Sequence, residues 1–255
     1  MVSERRLLDL GRFVFAIAIC GFGAQYLLYG HFARGLVPGQ AWTPSMPPLA
    51  YLLGFVFVAT GISLLRPRSA RRAALAIGVI LIAGAVIVNF AHLADVSAHG
   101  DIRTGAFETL AIGSAALGLA SVLSTDRRTR ALGQLGRYLF AFSLCVFGLQ
   151  HFLSAPYIAT LIPSWMPAHL ALTYASGIGF IAAGVAIGAN VQARLGASLL
   201  GLMFLVWVAT LHVPLVVAQP HNGDLWTSLF VAIAMCGAGF IFAGAPVAAE
   251  KRSLP

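Results

Sequence analysis

Residues 10–30 read LGRFVFAIAICGFGAQYLLYG, and residues 135–155 read LGRYLFAFSLCVFGLQHFLSA. Both are apolar runs of membrane-crossing length, since roughly 20 apolar residues span the hydrocarbon core as a helix. They also align, with Gly11 on Gly136, Arg12 on Arg137, Cys20 on Cys145, Gly23 on Gly148 and Gln25 on Gln150. Pro38 then falls on Pro163. After a two-residue gap, Trp42, Pro44, Tyr51, Gly54 and Gly61 fall on Trp165, Pro167, Tyr174, Gly177 and Gly184, and Arg71 falls on Arg194. The pattern predicts a duplicated unit, with repeats over 1–125 and 126–255. It also bears on the basic, apolar N-terminus, which has the look of a signal peptide. A lipoprotein-type cut before Cys20 needs a small residue at Ile19, and the same segment recurs in mid-chain. A retained helix is therefore expected.

Composition carries the reading outward. Of 255 residues, 59% are hydrophobic and only 9% charged, where a soluble domain carries about a quarter charged. Apolar runs lie near 10–29, 49–65, 73–93, 105–123, 135–153, 169–188, 195–217 and 226–244. Backbone groups in lipid must be satisfied internally, and no period-2 pattern points to a barrel. The fold class is all-α: a polytopic transmembrane bundle of eight spans built from two four-helix repeats.

The net charge of +8 is a topology signal and does not point to nucleic acid. All but Arg34 and Arg103 of the 16 basic residues fall on one side of the expected membrane, which places both termini in the cytoplasm. The expected location is the bacterial inner membrane. An even number of spans per unit makes the repeats parallel, related by an axis along the membrane normal. Cys20, Cys145 and Cys236 lie inside apolar runs with no CxxC or Cys/His spacing, which suits small packing residues.

All seven histidines fall at or beyond the outer ends of spans. His92, His151 and His212 precede their loops and so lie in the apolar zone, where polar groups are costly and face a partner or a cavity. Gln25 and Gln150 hold equivalent places, with Tyr26 and His151 beside them. They are read either as interhelical hydrogen bonds or as a polar wall for a carbonyl-bearing ligand. In NFAHLADVSAH (89–99), Asn89, His92, Asp95 and His99 would share one face of a continued helix. Two imidazoles and a carboxylate suit a transition metal. However, the other half has no equivalent of Asp95, and Pro214 and Pro220 interrupt such a helix, so no metal is assigned. His92 and His212 become an axial haem pair only with a register shift, because strict register sets Asn89 on His212. Glu108 has no acidic counterpart, the aligned residue being Val231, and it is read as pairing with Arg103 or as a proton acceptor. Nucleophile–base pairs, phosphate loops and dinucleotide signatures are not evident.

The GR at the helix start, the FG.QHF stretch, the P.W.P turn and the Y..G......G run resemble the DoxX-like membrane proteins, and the chain is similar to their duplicated, eight-span bacterial members. The second half carries this on Gly136, Arg137, Gly148, Gln150, His151, Phe152, Pro163, Trp165, Pro167, Tyr174, Gly177 and Gly184. The first half keeps the pattern but has Tyr26 at the place of His151. Relatives include a subunit of thiosulfate:quinone oxidoreductase, so the resemblance implies a quinone-linked role. Single-unit members carry an acid in the second span near the places of Gly61 and Gly184. This chain has none there, and the resemblance does not extend to chemistry resting on it.

The expected function is accordingly redox-associated binding of a quinone or similar isoprenoid lipid near the outer leaflet. Gln150, His151, Gln25 and Tyr26 would meet the head group, and Asp95 or Glu108 would exchange protons with the outer aqueous phase. A partner subunit would hold the other redox centre, and haem is the lesser alternative cofactor. A small-molecule or lipid transporter and a non-catalytic scaffold are the competing readings.

Overall fold

The computed structural model describes residues 2–31, 47–89 and 100–245. Its order is α1 (Val2–Tyr29), α2 (Pro47–Leu65), α3 (Ala70–Gly84), α4 (Gly100–Val122), α5 (Arg127–Leu153), α6 (Ala155–Thr160), α7 (His169–Ala189), α8 (Ala193–Trp207), α9 (Val213–Ala218) and α10 (Gly223–Gly244). A π-helical turn, Ala85–Asn89, extends α3, and another, Val208–His212, joins α8 to α9. Among the described residues, eight helices are long and apolar enough to cross a membrane, which is the make-up of a multi-pass membrane protein.

Helix-on-helix contacts follow a closed circuit: α1 on α2, α2 on α3, α3 on α4, α4 on α5, α5 on α7, α7 on α8, α8 on α10, and α10 back on α1. A further contact, α4 on α10, crosses that circuit and divides it into two lobes. One is bounded by α1, α2 and α3, the other by α5, α7 and α8. The two shared helices are the most enclosed, with 78% of the α4 span and 61% of the α10 span buried.

Small residues let these helices approach. A Cβ on Gly237 would lie 2.6 Å from Phe15 N, and one on Gly11 would lie 2.5 Å from Ile241 N, so α1 and α10 touch backbone to backbone. Between lipid-immersed helices such packing carries association, because the surrounding tails are as apolar as the side chains. Aligned positions make matching contacts in the two halves. Gly23 sits on Gly54 O and Val58, as Gly148 sits on Gly177 O and Ile181. Gly61 faces Cys20 Sγ and Ala16 O, as Gly184 faces Cys145 Sγ and Ala141 O.

Three boundaries differ from the sequence reading. Helix α5 starts eight residues before 135, because Asp126 caps it: its carboxylate accepts from Thr129 N–H at 2.8 Å and Thr129 Oγ1 at 2.9 Å, and a satisfied N-cap lets the arginine-rich turns be helical. Helix α4 starts at Gly100, so Glu108 lies two turns inside it instead of within one turn of its end. Pro214 does not interrupt the seventh span. The preceding π-turn, with Val213 N–H bonded to Val208 O, places a five-residue step where the proline ring would otherwise press on the carbonyl four residues back.

Candidate functional site

The second lobe gathers aromatic rings around His151. From α5 come Phe147 and His151, from α7 Phe180, and from α8 Phe204 and Trp207. His151 lies 5.1 Å from Phe180 and 6.5 Å from Trp207, centroid to centroid, the latter pair inclined by only 11°. Phe180 completes the cluster at 5.7 Å from Phe147 and Phe204 and 5.8 Å from Trp207. These separations lie in the range where ring quadrupoles interact favourably. Phe147, Phe180 and Phe204 are buried, whereas His151 and Trp207 are half-buried, so the cluster has a closed floor and an accessible rim.

The backbone decides which histidine nitrogen is presented. Nδ1 lies 2.8 Å from Phe147 O, and a carbonyl only accepts, so Nδ1 carries the proton in the neutral ring. Nε2 is then the lone-pair nitrogen, and it has no hydrogen-bond partner among the described residues. The imidazole can accept from a hydroxyl or, once protonated, donate to a carbonyl. His212 ends the π-turn one helical step beyond Trp207 and is also half-buried. Single π-turns inside α-helices concentrate at functional sites.

The first lobe differs at the same register. Tyr26 replaces His151, is fully buried, and stacks on Phe57 at 5.6 Å and 29°. Gly84 stands where α8 has Trp207, and among the described residues a Cβ there would meet nothing within 4 Å. The two glutamines also diverge. Gln25 is 5% exposed, and its Nε2 donates to Gly223 O and to Thr227 Oγ1, both at 2.8 Å. This ties α1 to the first turn of α10. Its Oε1 is buried and has no partner among the described residues. Gln150 is half-buried and makes no such bond among the described residues.

The predicted four-residue wall is therefore not one wall. Gln25 and Tyr26 are on α1, which packs on α2 and α10, while Gln150 and His151 are on α5, which packs on α4, α6 and α7. Glu108 is half-buried, with no ion pair or hydrogen bond among the described residues. Its predicted partner Arg103 has a side chain outside the described set. His92, Asp95 and His99 lie outside the described residues. Among the described residues no group of three or more His, Cys, Asp or Glu is placed to hold a metal ion.

Sequence reading missed Trp207, Phe180 and Phe204, which look like ordinary span residues. The signal was present as an exchange between aligned positions: continuing the Arg71–Arg194 register sets Gly84 on Trp207. The same register sets Ala85–Asn89 on Val208–His212, so the two π-turns coincide, and sets Gly223, Asp224 and Thr227 on Gly100, Asp101 and Thr104.

Fold and site together define a bundle of eight membrane-length helices with a histidine-centred aromatic cluster in one lobe. A family profile described as Domain of unknown function (DUF8561) matches residues 140–234, from the middle of α5 into α10, and so covers the whole cluster. No curated protein and no solved structure matches the chain.

Proposed function

We propose that the protein binds a quinone or a similar isoprenoid ring lipid in the second lobe and serves membrane redox chemistry. The observation that carries this reading is His151, held by Phe147 O through Nδ1 and presenting Nε2 beside the near-parallel face of Trp207. A planar ring with a carbonyl or hydroxyl edge is the ligand chemistry such a site recognises. Aromatic faces take the ring, Nε2 accepts from a hydroquinone hydroxyl, and the imidazolium donates to a quinone carbonyl. Gln150, one residue before His151 and not engaged elsewhere among the described residues, is a second donor for the ligand's far oxygen. Gln25 is assigned a structural role, since both its amide hydrogens are used within the bundle. Tyr26 belongs to the first lobe, where it is buried against Phe57.

Reduction of a quinone takes two electrons and two protons. In this account the electrons come from a redox partner, soluble or membrane-bound. Glu108, half-buried two turns inside α4, is the proposed proton relay. The arginine distribution supports an inner-membrane location with cytoplasmic termini. The GR, FG.QHF and P.W.P motifs support kinship with DoxX-like proteins.

The test is lipid extraction from protein purified out of its native membrane. Quinone should be recovered near one per chain, and His151→Leu and Trp207→Ala should each lower it by about ten-fold, the scale of one lost aromatic or polar ring contact. Unchanged quinone content in folded His151→Leu protein overturns the site.

A further inference from the structure

The middle helix pairs of the two halves, α2–α3 and α7–α8, are packed differently at the arginine-rich end. Between α2 and α3 runs an open groove of about 380 Å³, with Val56, Ala59 and Ala76 along its length and Thr60, Ser63 and Arg72 toward the α2–α3 turn. The corresponding junction of α7 and α8 is closed. There Gly196 approaches so tightly that a Cβ would lie 2.9 Å from Ala186 Cβ. In the repeat register, Gly179, Ala183, Ala186 and Gly196 become Val56, Thr60, Ser63 and Ala73. Small residues draw one pair together, and larger, partly polar ones hold the other apart.

Charge differs in the same place. The second-half turn has Arg194 alone, and it is spent on Glu4 at 3.2 Å. The first-half turn has Arg66, Arg68, Arg71 and Arg72 within seven residues. Arg66, Arg68 and Arg72 are exposed and have no ion-pair partner among the described residues, while Arg71 lies in the field of Asp126. The first turn of α3 carries no acidic residue, so its free N–H groups add to the positive potential.

We propose that the α2–α3 groove is a binding site for an anionic diacyl phospholipid. An acyl chain lies along Val56, Ala59 and Ala76, and the phosphate sits at Arg72 among Ser63, Thr60 and the neighbouring arginines. An apolar trough that ends in exposed arginines at membrane-surface depth matches an anionic lipid on both counts, and a zwitterionic lipid on one only. Basic pockets between membrane helices recognise head groups in this way. The site is independent of the quinone reading, since it lies in the other half and at the opposite ends of the spans.

Native mass spectrometry of the full chain in detergent, titrated with phosphatidylglycerol or phosphatidylcholine of matched chains, reads it directly. Phosphatidylglycerol should bind at least ten-fold more tightly. Arg72→Gln should weaken it about five-fold, the contribution of one basic residue at a membrane surface, and should leave phosphatidylcholine unchanged. Ala76→Leu, which fills the trough, should weaken both lipids. Arg130→Gln, the same charge change elsewhere on this side, should change neither, and unaltered elution and melting without lipid show that each variant is folded. Equal binding of the two lipids, or equal losses from Arg72→Gln and Arg130→Gln, overturns the proposal. So does a rise in melting temperature with sodium phosphate that equals the rise with phosphatidylglycerol.

Discussion

The two lobes share their scaffold contacts and differ in what they enclose. Gly23 on Gly54 matches Gly148 on Gly177, and Cys20 against Gly61 matches Cys145 against Gly184. Around that common frame, buried Tyr26 stands for half-buried His151, Gly84 for Trp207, and bonded Gln25 for Gln150. Positions that set helix-to-helix distance admit almost no change, because a Cβ at any of these glycines would collide with backbone or side chain. Positions that face the lobe interior are constrained only by volume and polarity, and there the halves part. One lobe buries a tyrosine there. The other retains an imidazole with a lone pair on its rim.

The comparison can be broken first at the frame. Gly237→Leu, which drives a side chain into Phe15 N on α1, should destabilise by about 3 kcal/mol or more and reduce the yield of monodisperse protein in size-exclusion chromatography. Gly84→Ala should do the opposite. With nothing among the described residues within 4 Å of the added methyl, it should raise the melting temperature, since alanine is favoured over glycine in a helix by about 1 kcal/mol. If both glycines respond alike, the division between frame and interior fails.

The glutamines provide the next contrast. Gln25→Leu removes two interhelical hydrogen bonds, and membrane hydrogen bonds are worth about 0.6 kcal/mol on average and up to about 2. A measurable drop in melting temperature should follow. Gln150→Leu, with no such bond to lose among the described residues, should leave melting unchanged and lower quinone content. The smallest effect is expected at Asp126, outside the membrane. The Thr129 N–H and hydroxyl hold its carboxyl below the usual range. A group with a depressed folded pKa stabilises above its unfolded pKa and loses that contribution as pH falls through the folded value. Melting should therefore decline on acidification in wild type, and less so in Asp126→Ala, when followed by tryptophan fluorescence.

Much of this molecule is legible in the sequence. The eight spans follow from hydropathy, and the glycine and cysteine matches locate the contacts that pair α1 with α2 and α5 with α7, whereas Gly11 and Gly136 of the GR match pack on α10 and α4. The paired glutamines suggest a shared wall, yet α1 and α5 lie in different lobes, and adjacency in a repeat alignment says nothing about adjacency in space. His151 is visible because a polar residue interrupts an apolar run. Trp207 is not, because a tryptophan in GLMFLVW is ordinary in a span until Gly84 is set beside it. The π-turns leave no local mark, since five-residue hydrogen bonding follows from packing and only the second precedes a proline. The α2–α3 groove is likewise invisible in hydropathy, for it depends on how far apart Ala73 and Thr60 hold two helices.

The central claim is that one lobe, and not its twin, accepts a quinone ring beside His151 and Trp207. Titrating detergent-purified protein with a short-chain quinone and following tryptophan emission tests it most directly. Saturable quenching in wild type is predicted, lost in Trp207→Phe, weakened about ten-fold in His151→Leu, and retained in Tyr26→Phe. Quenching that is linear in quinone, or that saturates unchanged in Trp207→Phe and His151→Leu, would contradict the account.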